Sequence, residues 1–135
     1  MSFRERMQTK KPNAEEDLQI ELQNRRLLDH VYNKNTSIVF MGNGKYLVVP
    51  EERLTFKLIN SSEGFTVPDT ILRKDDTSFY LDGPPHLRVG VKNRDDRING
   101  KLESCDIDYH RYPYTVLSNK QLNEICNEIQ EMTQK

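Results

Sequence analysis

Leu18, Leu22, Leu28 and Val31 recur at roughly helical spacing through a segment of good helix formers that opens at Ala14. With Asn13 as an N-cap and Glu16 as its capping-box partner, the pattern predicts a helix from 14 to about 32, broken by "NKNTS". "SIVFMGNGKYLVV" follows, with β-branched and aromatic residues on both sides of Gly-Asn-Gly, the form of a hairpin. "PEER" then separates the hairpin from "LTFKLI", a predicted strand, and "NSSEG" turns into a second, "FTVPDTIL". "RKDDT" turns into a third, "SFYLDG". Val91, Ile98, Leu102 and Cys105 fall on one helical face, with Asn93 placed to cap it. "IDYHRYPY" reads as a strand up to Pro113. Ser118 and Gln121 form a second capping box, and Leu122, Ile125, Cys126 and Ile129 behind it mark an amphipathic helix.

The predicted order is helix, small hairpin, three strands in a meander, helix, strand, helix. That is an α/β (α+β) pattern, a mixed β-sheet flanked by helices. The strand that returns after a helix can lie parallel to an earlier one through a right-handed crossover. Residues 1–12 are polar and basic and end in Pro12, which predicts a flexible arm before a single domain over 13–135.

Composition narrows the setting. With 35% hydrophobic and 30% charged residues, the core is modest and the surface highly charged. A net charge of −1 carries no overall basic signature of nucleic-acid binding, although 20 Lys and Arg leave room for a local one. Cys105 and Cys126 are too few and too far apart for a disulfide framework or a zinc site. The start, "MSFRERMQTKK", has no apolar h-region, and no apolar run approaches the ~18 residues of a membrane span. These features predict an intracellular, cytoplasmic, soluble protein that does not enter a membrane.

The chemistry concentrates in "FTVPDTILRKDDTSFYLDGPPH". If Asp75-Asp76 makes a two-residue turn, Asp69 faces Asp82 directly across the ladder. Opposed residues have β-carbons only ~4.5–5.5 Å apart, and like charges there destabilise a sheet. A divalent cation between the two acids resolves the conflict, because Mg²⁺ takes hard oxygen ligands and often only one or two carboxylates. The alternative is a solvated sheet end, where both acids cost little. His86 follows on a segment stiffened by Pro84-Pro85, which suits a general acid or base as well as a surface histidine. Acids in "RDDR" at 94–97 also suit the first turn of a helix.

In this order the motifs resemble the PD-(D/E)XK nuclease superfamily, a restriction-endonuclease-like fold, and within it the very-short-patch-repair-like branch. The stretch that carries the resemblance runs from about Leu54 to Ile129. "VPD" at 67–69 resembles the motif whose aspartate binds metal, and "YLDGPPH" at 80–86 the next strand with its acid, glycine and downstream histidine. "RDDRINGKL" at 94–102 resembles the following helix, with Asp95 in the acidic position. "YHRYPY" at 109–114 resembles the late strand, with Arg111 where that branch commonly has arginine. Glu15 matches the glutamate often carried on the first helix, and Glu16 is the alternative. One departure stands out: Pro84 occupies the position of the motif lysine, so His86 or Arg111 would have to take over its role.

The resemblance implies a Mg²⁺- or Mn²⁺-dependent endonuclease acting on DNA. Asp69 and Asp82 would hold the metal, His86 would serve as acid, base or water-orienting group, and Glu15, Asp95 and Arg111 would complete the site. Phosphate contacts would come from Lys10, Lys11, Arg25, Arg26, Arg88 and Lys92. A chain this small could dimerise to cut both strands. The rival expectation is a nuclease-like module that binds nucleic acid or protein without turnover; RNA cleavage is a third.

Overall fold

The computed structural model describes residues 14–84 and 89–135. The described residues form a mixed α/β structure of four α-helices and two small three-stranded sheets. In chain order the elements are α1 (Ala14–Asn24), β1 (Ser37–Gly42), β2 (Lys45–Val49), α2 (Phe56–Asn60) and β3 (Phe65–Thr66). Then come β4 (Thr70–Ile71), β5 (Ser78–Asp82), α3 (Val89–Ser104), β6 (Tyr109–Pro113) and α4 (Asn119–Thr133).

The first sheet has the order β2-β1-β3 and is antiparallel throughout. Its hairpin turns through Asn43 and Gly44, both at positive φ (57° and 76°), the conformation that lets a two-residue turn follow the twist of its strands. The second sheet, β4-β5-β6, is mixed: β4 runs antiparallel to β5, and β6 runs parallel to it. A parallel pair needs a long connection, and α3 supplies it.

Side-chain alternation along β5 divides the core in two. Phe79 and Leu81 point to one face, where they pack with Leu18 and Leu22 of α1 and Ile125, Cys126 and Ile129 of α4. Tyr80 points to the other, with Leu102 of α3 and Ile38 and Phe40 of β1. The central sheet is therefore covered on both faces, which explains why every residue of β5 is buried, Asp82 included.

Several elements differ from the sequence expectation. The first helix ends at Asn24, not near 32; Arg26 takes φ 58° and a single 3₁₀ turn covers Leu28–His30. "LTFKLI" is helical at 56–60 because Thr55 caps it, its hydroxyl accepting the Leu58 N–H at 3.2 Å. "FTVPDTIL" is not one strand. Pro68 has no N–H for a ladder, and the chain leaves the first sheet at Thr66 and joins the second at Thr70. The strands thus form two sheets, not one with a three-strand meander. Asn93 lies inside α3 and does not cap it. Asn13, as a cap, and the basic arm lie outside the described residues.

Candidate active site

The corner between the sheets, Val67-Pro68-Asp69, sets the first acid. Asp69 donates its backbone N–H to the Phe79 carbonyl at 2.9 Å, and its Oδ2 accepts the Leu81 N–H at 2.6 Å. The Asp75-Asp76 turn is longer than two residues: Leu72 and Thr77 close a four-residue loop over 73–76, with Asp76 at φ 63°. Thr70 consequently faces Phe79, where the two-residue turn would have set it against Leu81. Asp69 does not oppose Asp82 across the ladder. Its carboxylate caps the backbone of β5 one residue before Asp82 instead.

Three acids still converge there. Glu15 comes from α1, within hydrogen-bonding reach of the Asp69 carboxyl. Gln19, one turn further along the same face, donates to the Asp69 carbonyl at 3.4 Å and ties the helix to the corner. Burial, above all, pushes the Asp69 carboxyl up to about 7; the Leu81 N–H pulls the other way, and the charges of Glu15 and then Asp82 add to the rise. An aspartate that titrates near neutrality beside two further acids is an electrostatic conflict that a cation would relieve.

Asp82 ends β5 with only 8% of its surface exposed. Arg111, its neighbour on β6, reaches it through Nη1 at 3.1 Å to Oδ1 and 3.4 Å to Oδ2. The guanidinium is held on every side. Its Nε donates to Asn99 Oδ1 at 2.7 Å, Asp95 Oδ2 lies 3.9 Å from Nη1, and the Tyr80 ring lies beneath it at 4.1 Å. Asp95 and Asn99 are four apart on α3, so one helix face presents both to Arg111. A cleft of about 260 Å³ opens over this group, lined also by Lys92 and Asp96.

Tyr114 closes the other flank. Burial raises its phenol above the ordinary range, with Asp69, Glu15 and Asp82 adding to the rise. Its Oη sits so near Gly83 that a β-carbon there would come within 2.9 Å of it. Glycine at 83 thus leaves room for the phenol beside the acids.

Glu15, Asp69, Asp82, Asp95 and Arg111 are therefore brought to one place, with Lys92 at its edge. Arg25 is engaged between helices: it pairs with Glu21 at 2.8 Å and donates to Asn127 at 2.6 Å and Gln130 at 3.2 Å, fastening α1 to α4. Arg26 is exposed at the end of α1. His86, Arg88, Lys10 and Lys11 lie outside the described residues. The sequence reading missed Gln19, Tyr80, Asn99 and Tyr114. Helical spacing from Glu15 and Asp95 could have found Gln19 and Asn99; only the fold reveals the tyrosines.

Among the described residues no group of three or more His, Cys, Asp or Glu side chains is arranged to enclose a metal ion. A Mg²⁺ ion often keeps several waters and takes only one or two carboxylates from a protein. No described helix is long and apolar enough to cross a membrane. Compared with known proteins, the chain matches no family model, no curated protein and no solved structure.

Proposed function

We propose that this protein is a divalent-metal-dependent endonuclease with a restriction-endonuclease-like domain of the very-short-patch-repair-like branch, hydrolysing phosphodiester bonds in DNA. The observation that carries the reading is the meeting of Glu15, Asp69 and Asp82, which come from a helix, a sheet corner and a strand end. Stability alone gives no reason to collect three acids where one is forced to titrate near 7. The central antiparallel-then-parallel sheet with a helical crossover also suits that family.

In this reading Asp69 and Asp82 hold Mg²⁺ or Mn²⁺, with Glu15 as the third acid. The bound ion supplies Lewis acidity and a water of lowered pKa. The chain does the rest. The Leu81 N–H fixes the orientation of Asp69. Arg111, steadied by Asn99, balances charge at Asp82 and would meet a phosphate oxygen of the substrate. Lys92 offers a further phosphate contact at the rim of the cleft. His86 keeps the acid–base role, since Pro84 stands in the position of the motif lysine.

A second reading has its own support. Arg111 already places a positive charge on Asp82, which suits a nuclease-like module that binds without turnover. Nicking of supercoiled plasmid separates the two. The enzyme nicks with Mg²⁺ or Mn²⁺ and loses at least ~100-fold on Asp69→Ala or Asp82→Ala, a loss within the span of a missing charge-stabilising group. A pure protein inert on duplex, single-stranded and mismatched DNA with either ion would favour the binding module.

A further inference from the structure

Arg111 and Asp95 line a second cleft, of about 410 Å³, adjoining the acidic one. Its other walls differ in character. Phe65 and Val67, alternate residues leading off β3, present apolar side chains that are 38% and 44% exposed. Tyr80 and Ile98 contribute further apolar surface, and Arg94 comes from α3. Thr66, between Phe65 and Val67, turns inward to hydrogen-bond with the Tyr80 hydroxyl at 2.9 Å, which fixes the strand against β5. Arg94 has no carboxylate partner among the described residues.

An aromatic wall, a guanidinium stacked on a tyrosine and an arginine that no described carboxylate pairs suit a flat ring attached to an anion. Concave, mostly apolar sites of ~300–1,000 Å³ accept ligands of the size of a nucleoside. A base inside a continuous duplex cannot enter such a hollow, because its faces are covered by its neighbours and it must first leave the stack. We propose that this cleft takes an unstacked nucleobase next to the phosphate held at the acidic site, so that the substrate is single-stranded or locally opened DNA. The inference rests on the endonuclease reading and names the form of substrate that site selects. Phe65 provides the stacking face, Val67 and Ile98 exclude water around the ring, and Arg94 meets the adjoining phosphate.

The chain contains no tryptophan, so a Phe65→Trp variant carries a single fluorescent reporter in the cleft. Its emission is measured with Ca²⁺ in place of Mg²⁺ against a single strand, a duplex with one bulged nucleotide and an intact duplex. The first two should quench it and bind at least ~10-fold tighter than the third, given the ~1–3 kcal/mol of stacking per base. Comparing the single strand with the bulged duplex shows which source of unstacked base is preferred. Phe65→Ala combined with Val67→Ser should weaken single-strand binding ~5–150-fold, while Phe65→Tyr retains it and keeps the test open if the double variant does not fold. Equal affinity for intact duplex, absence of quenching, or an unaffected double variant overturns the cleft assignment alone if the duplex is still cut. Failure to bind any nucleic acid overturns the endonuclease reading as well.

Discussion

Asp69 shows how one side chain can be costly and useful together. Its carboxyl, pushed up to about 7, keeps its proton in the folded state, whereas in the unfolded chain it ionises near ~3.9. The folded form therefore binds more protons between those values, and its stability falls as pH rises from about 4 to about 7, then levels. Asp69→Asn keeps an acceptor for the Leu81 N–H without the charge, so its denaturation midpoint should fall less over that range and exceed the wild-type value at pH 8. A variant that tracks the wild type at every pH would show that Asp69 is solvated like a surface acid. Arg111 has the opposite role. Removing it from a carboxylate only 8% exposed should cost about 3–5 kcal/mol, the usual result of breaking a buried pair from one side. Urea titration of Arg111→Met measures this, and Mn²⁺ should return part of the loss by supplying the missing positive charge at Asp82.

At the scale of elements, local signals were legible wherever one of them dominated. Ser118 accepts the Gln121 N–H at 3.1 Å and α4 begins where the capping box marked it. Ser118→Ala should therefore destabilise the protein by about 1 kcal/mol, readable as a shifted thermal midpoint with the geometry around Asp69 and Asp82 untouched. The hairpin and the parallel return of β6 were legible through turn residues and through a strand-like, tyrosine-rich segment that follows a helix. "LTFKLI" was not, because its strand-like composition competes with a threonine cap that only the preceding extended backbone makes available. The register of the β4–β5 hairpin failed on a single point: Asp76 adopts a left-handed conformation and lengthens the loop. An aspartate at that position is permitted there but not required. Because the shift is even, the side chains keep their faces.

For the whole molecule, the arrangement depends on packing over long separations in sequence. α1 must lie on the sheet for Glu15 to approach Asp69, and the Arg25 contacts with α4 help to hold it there. Tyr80 and Tyr114 enter the site only through the meeting of β5, α3 and β6, whereas Asn99 follows Asp95 by one helical turn. On the proposed reading, a net charge of −1 leaves nucleic-acid attraction to a local group, Lys92, Arg94 and Arg111, at the two clefts. Binding there should weaken steeply with salt.

Calorimetry with Mn²⁺ near pH 6.5, repeated in two buffers of different ionisation enthalpy, goes to the heart of the matter. The wild-type protein should bind the ion and release part of a proton from the carboxyl that titrates near 7, with affinity rising toward neutral pH. Asp69→Ala and Asp82→Ala should each abolish that heat. Wild-type protein that binds no Mn²⁺, or binds it unchanged in both variants, would contradict the assignment of Asp69 and Asp82 as the acids that hold metal.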